Sequence, residues 1–148
     1  MQRVAYISSD PGVPAFGHKG SSVHVQEILR AWLRRGDAVQ LFARRLGGEP
    51  PADLGSLEVH TLAALPSLSS PELFRQGAFA ANRSLRDSLE RNSDVSLVYE
   101  RHALFSFAGL EYARAHGIPG ILEVNAPLSL EAERWRGLGE NAAAARAA

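Results

Sequence analysis

The stretch AFGHKGSSVHVQEIL, residues 15–29, gathers two glycines, two histidines, two serines and the only lysine of the chain. It reads as a loop that runs, near Ser21, into an amphipathic helix. Backbone N–H groups at a helix start are unpaired and carry the positive end of the helix dipole, so such a junction favours an anion. Gly17 and Gly20 let the backbone approach a phosphate closely, and Lys19, Ser21 and Ser22 add donors. The run GVPAFGHKGS nearly matches the phosphate-loop pattern G-x-x-x-x-G-K-[ST], but His18 displaces the lysine by one position and Pro14 removes an N–H. Of the dinucleotide fingerprint only Gly17-x-x-Gly20 survives. The alternative is a flexible loop whose serines cap the helix, and the motif alone leaves both open.

Two later stretches carry further candidates. Glu100, Arg101 and His102 follow an apolar run, and Glu123 and Asn125 stand in LEVNAP. These polar groups suit a cleft rim, although the Glu100–Arg101 adjacency could equally be structural, a carboxylate pinning a neighbouring loop. Asparagine hydrogen-bonds hydroxyls but relays no proton at neutral pH. His18, His24 and His102 show no H-x-x-x-H spacing and no carboxylate cluster, so neither a metal nor a cofactor is expected. Glu123 and Glu131 share an E-x7-E spacing that straddles a strand end and a helix start, and it reads as coincidence. Arg30, Arg34, Arg35, Arg44 and Arg45 read as a solvated basic face rather than an anionic-lipid contact.

The elements that must hold these groups follow from periodicity. RVAYIS (3–8), AVQLFA (38–43), LEVHT (57–61), VSLVYE (95–100) and GILEV (120–124) are short runs of buried-strand type. Between them lie helices at 22–35, near 72–91 and at 105–116. Val25, Ile28, Leu29, Trp32 and Leu33 form one apolar stripe, and Phe74, Ala78, Ala81, Leu85 and Leu89 another. Gly36 and Gly117 are natural stops. Alternating strands and helices predict a doubly wound, mostly parallel, Rossmann-like α/β sheet with order 3-2-1-4-5 and helices on both faces. In that topology ligands bind beyond the carboxyl ends of the strands at the switch point. Here that means residues 9–22, 100–104 and 124–130.

Bulk properties narrow the classes. A chain of 148 residues suits one domain, and 16 basic residues balance 16 acidic ones, giving no argument for nucleic acid. Without cysteine, disulfides, thiol catalysis and thiolate zinc sites are excluded. No run approaches the about eighteen apolar residues of a membrane span, and RVAYIS follows Met1 too closely for a signal sequence. The expected location is cytoplasmic.

RVAYISSD…GHKGSSVHVQEILRAWLRRGDAVQLFA, with VYERHALFSFAGLEYARAHGIPGILEVNAP, resembles the N-terminal domain of GT-B fold glycosyltransferases of family 4, the group 1 type. Val23-His24-Val25 matches the hydrophobic–His–Val helix start of that family. The resemblance covers about residues 1–140, with 141–148 a helical tail at an expected truncation point. It implies a retaining hexosyl transfer from a nucleotide sugar to an acceptor hydroxyl, with the donor held by a second domain of the same protein. The first domain alone would then be inactive. The loop Gly17, His18, Lys19, Gly20 and Ser21 would face the donor diphosphate, Lys19 offsetting charge on the leaving group. His24, Glu100, Arg101, His102, Glu123 and Asn125 would line the acceptor site, with His24, Glu100 and Asn125 as catalytic candidates. Many relatives carry a histidine near Asn125, so that role does not transfer directly. The acceptor would be a small molecule, lipid or glycan. The amphipathic stretch 128–138 is expected to pack on protein, a membrane-surface contact being the minor alternative.

The rival reading is a stand-alone, non-enzymatic α/β module that binds a phosphate or sugar phosphate. A nicotinamide dehydrogenase fails for want of the glycine fingerprint and of an acid ending AVQLFA.

Overall fold

A computed structural model describes residues 1–92 and 94–127. Strand β1 (Arg3–Ser8) leads through a long loop into α1 (Gly20–Arg34), then β2 (Ala38–Ala43) and β3 (Glu58–Thr61). Helix α2 (Pro71–Arg91), β4 (Leu97–Arg101), α3 (Ala108–His116) and β5 (Gly120–Glu123) follow. All four strand pairings are parallel, and the sheet runs β3-β2-β1-β4-β5, the order expected from the sequence.

Because side chains alternate along a strand, β1 feeds two cores. Val4 and Tyr6 join Val25, Leu29, Val39 and Leu41 under α1. Ala5 and Ile7 join Phe42, Leu85, Leu89, Val98 and Tyr112 under α2 and α3. The central strands are therefore buried on both faces, which is why they read as continuous apolar runs. Gly117 ends α3 in the left-handed conformation at φ +64°, the C-terminal stop that its position predicted.

Several boundaries differ from expectation, and three of the differences bear on the site. Helix α1 starts at Gly20 with Lys19 as N-cap, and no serine side chain caps it. Ser22 Oγ instead lies buried with no partner, under Gly17. Helix α3 starts at Ala108 rather than 105, because Phe105 adopts φ +62°, which a right-handed helix cannot contain. Strand β4 begins at Leu97 and runs on to Arg101, pairing with Ser8 and Glu123. No helix among the described residues is long and apolar enough to cross a membrane. The amphipathic stretch 128–138, Glu131 and the tail 141–148 lie outside the described residues.

Candidate functional site

The loop after β1 is a built structure up to Gly17. Asp10 Oδ1 accepts the Gly12 N–H at 2.7 Å, and the N–H groups of Ala15 and Phe16 donate to the Arg45 and Leu46 carbonyls. Gln26, buried on α1, donates Nε2–H to the carbonyls of Ala15 at 3.1 Å and Gly17 at 2.9 Å. A Cβ at Gly17 would stand 2.8 Å from Ser22 Oγ and 2.9 Å from Pro14, so packing alone demands glycine there. Beyond that clamp the chain is free. His18, Lys19 and Gly20 are exposed, and a Cβ at Gly20 would meet nothing within 4 Å. No acid stands in the first turn of α1, the Lys19 side chain does not cap it, and no other side chain among the described residues does.

One helical turn after Gly20, about 6 Å along α1, His24 reaches a polar cluster at the ends of β4 and β5. Arg101 Nη1 lies 2.5 Å from Glu123 Oε1, and both side chains are only 10% exposed. His24 Nε2 stands 3.1 Å from the same oxygen, and Asn125 Nδ2–H donates to it as well. The pairing follows from register: Arg101 and Glu123 are direct neighbours across β4 and β5 and share one face. Tyr99, two residues earlier on that face, has its hydroxyl pushed up to about 12 by burial and then by Glu123. The cluster thus offers a carboxylate fixed by a guanidinium, an imidazole oriented by the carboxylate, and an amide. Such a set can grip the hydroxyls of a polar ligand.

Four of the six expected acceptor-side residues therefore converge: His24, Arg101, Glu123 and Asn125. Glu100 does not join them. It lies on the opposite face of β4, 1% exposed, where Ser106 Oγ–H donates to Oε1 at 3.0 Å and the Leu110 N–H to Oε2 at 2.9 Å. Burial pushes its carboxyl up, and the helix and hydroxyl donors pull only partly against it. This is the loop-pinning alternative rather than a rim position. His102 is half-buried; its backbone N–H donates to the Glu123 carbonyl and its Nδ1 is enclosed without a partner.

The expected basic face divides. Arg30 grips Asp53 through Nε at 2.5 Å and Nη2 at 3.2 Å, and Arg35 pairs with Asp37 at 3.2 Å while lying over Trp32. Arg44 turns the other way, into the α2 side of the rim, where its Nε–H donates to the Ser9 carbonyl at 2.9 Å.

Two residues that motif reasoning passed over organise this edge. Gln26 clamps the glycine loop, and Asn82 ties α2 to α3. Asn82 Oδ1 accepts the N–H groups of Phe107 at 2.9 Å and Ala108 at 3.0 Å, while Nδ2 donates to the Phe105 carbonyl at 2.7 Å. Each left a trace: a polar residue inside an apolar helical stripe. Among the described residues, no group of three His, Asp or Glu side chains is placed to hold a metal ion.

The fold and site define an α/β Rossmann-like domain with its polar groups gathered at the carboxyl edge of a parallel sheet. The sequence model of Glycosyltransferase Family 4 matches residues 18–147, and the chain belongs to that family. Among solved structures it is similar to the Streptomyces sp. SF2575 glycosyltransferase SsfS6, solved with thymidine diphosphate. The two share 20% identity at TM-score 0.53, over 95% of this chain and 43% of that one. The glycotransferase of kitacinnamycin gives 21% identity and TM-score 0.56, over 95% and 35%. A C-terminal domain of the PF1911 hydrogenase from Pyrococcus furiosus gives 18% and 0.51, over 82% and 91%. The chain thus spans less than half the length of the two transferases, and the hydrogenase domain shows that this fold is not confined to them. No curated protein matches.

Proposed function

We propose that this chain is the acceptor-side domain of a retaining glycosyltransferase, moving a hexose from a nucleotide sugar to an acceptor hydroxyl. A second domain of the full protein would hold the nucleotide, and the 148 residues alone would not turn over. Family membership supports sugar transfer. The observation that carries the assignment of roles is the uncapped start of α1, flanked by exposed Lys19 and one turn from the His24–Glu123–Arg101 cluster.

In this reading the N–H groups at the start of α1 and Lys19 face the departing diphosphate, where positive charge stabilises the charge that develops as the bond breaks. His24, Arg101, Glu123 and Asn125 hold the acceptor hydroxyls. Retention follows if the departing phosphate assists proton removal from the acceptor on the same face of the sugar. Neither a metal nor a cofactor is needed by this scheme. Glu100 is left out of the chemistry, since both its oxygens already hold α3 and its loop.

The test is a donor and acceptor screen on the full-length protein, with the anomeric configuration of the product read by NMR. Lys19→Ala should lower kcat/KM about 100-fold at unchanged thermal stability, and His24→Ala should raise KM for the acceptor. Full turnover in both variants removes the assignment of roles, and an inverted product removes the retaining mechanism.

A further inference from the structure

The α2 side of the rim holds a second arrangement that the sugar-transfer scheme does not use. A recess of about 10 Å³ is lined by Ser9, Arg44 and Ser106, with Leu65, Leu85 and Leu104 among its apolar walls. We propose that this recess binds the carboxylate of a small organic acid, one oxygen lying between the Arg44 guanidinium and Ser9 Oγ.

The first reason is an uncompensated charge. Arg3, Arg30, Arg35, Arg75, Arg86 and Arg101 each lie against a carboxylate. Half-buried Arg44 has none among the described residues. Its Nε–H and Nη1–H donate to the neutral carbonyls of Ser9 and Ala63, and the rest of its five donors meet no acceptor among the described residues. Those remaining donors reach the surface, where an anion could meet them, and partial burial pulls Arg44 below its usual range. The second reason is independent. Ser9 is 3% exposed, and its hydroxyl is enclosed with no hydrogen-bond partner among the described residues.

Size and donor number select the ligand. The recess has room for one oxygen-sized atom. A carboxylate places one oxygen there and the other on the guanidinium fork at the mouth. A phosphate would bring three outer oxygens to one guanidinium and one hydroxyl. The rest of the acid would lie outside the recess, beyond its mouth. Glu100, behind Ser106, does not oppose the anion strongly, because its carboxylate is turned into the α3 N-terminus and hydrogen-bonded there. Naming this acid as the sugar acceptor rests on the sugar-transfer reading, but its binding does not.

The experiment is an NMR titration of the ¹⁵N-labelled full-length protein with benzoate, its neutral analogue benzamide, and phenyl phosphate. Benzoate should produce a saturable shift of the Arg44 Nε–H and the Ser9 backbone N–H. Arg44→Gln and Ser9→Ala should each weaken binding about tenfold or more, as loss of a charge-assisted bond implies. Ser9→Ala removes only an unpartnered hydroxyl, so it keeps the thermal midpoint and remains a clean test if Arg44→Gln loosens the segment at Ala63. Equal binding of benzamide, tighter binding of phenyl phosphate, shifts confined to Lys19 or Arg101, or no saturable shift at millimolar benzoate each overturn the proposal. Benzoate binding in a protein that transfers no sugar would remove the transferase reading and leave the recess standing.

Discussion

Helices α1 and α3 begin at the same edge of the sheet, yet the chain treats the two starts in opposite ways. At α3, Asn82 accepts the N–H groups of Phe107 and Ala108, and the Glu100 carboxylate accepts that of Leu110. At α1 the N-cap is Lys19, no side chain among the described residues caps it, and the first turn has no acid. One helix is given an anion by the protein itself. The other is left uncapped, with a cation at its N-cap. A cap contributes about 1 kcal/mol, so stability alone would favour closing both. The difference lies in what the N–H groups meet: the start of α1 keeps its donors open, while α3 uses its own to fix the chain around Phe105.

The comparison can be broken most severely at Asn82. Asn82→Ala leaves two N–H groups and the Phe105 carbonyl without partners, and should cost about 2–3 kcal/mol in chemical denaturation. It also releases the left-handed Phe105 that Asn82 holds. A loss below about 0.5 kcal/mol would mean that the cap contributes little.

Glu100 breaks the comparison through pH. Its folded-state pKa lies above the ordinary 4.5, so the folded protein holds its proton more tightly than the unfolded chain. The contribution of this group to stability is full below pH 4.5 and is lost as pH rises towards the folded-state pKa. Glu100→Gln keeps one acceptor for the Leu110 N–H and one donor for Ser106 Oγ without that titration. Denaturation midpoints from about pH 4 to 8 should therefore move in favour of the variant as pH rises. A shift the other way sinks the assignment.

Lys19→Asp would give α1 the anion that α3 already has. It should stabilise the domain by about 1 kcal/mol while suppressing transfer in the full-length protein. A gain in both would show that the α1 start does not face the donor. The smallest effect is expected at Gly20→Ala, where the space is open. Stability should rise by no more than about 0.5–1 kcal/mol, and transfer should fall if an anion must approach there. Thermal midpoints and initial rates on the same samples separate the two.

Much of the frame was legible in the sequence. Strand runs such as RVAYIS and AVQLFA, and the stops at Gly36 and Gly117, led to the observed sheet order. The switch-point argument located the edge at which the polar residues meet. The side-chain assignments fared unevenly. His24, Arg101, Glu123 and Asn125 converge, but Glu100, adjacent to Arg101, faces the other way because successive residues of a strand point to opposite sides. The α2 stripe was expected to include Ala81. The residue buried there is Asn82, whose amide is needed by two N–H groups that lie 25 and 26 positions further along the chain.

What the sequence determined by itself is what depends on near neighbours: periodicity, turn chemistry, helix stops and, through right-handed crossovers, the order of the strands. The tertiary structure alone decided which polar groups meet. An ion pair such as Glu123 with Arg101 depends on strand register and on which face each side chain leaves. Those are fixed only when the whole sheet packs, since a shift of one residue would send each of these groups to the opposite side.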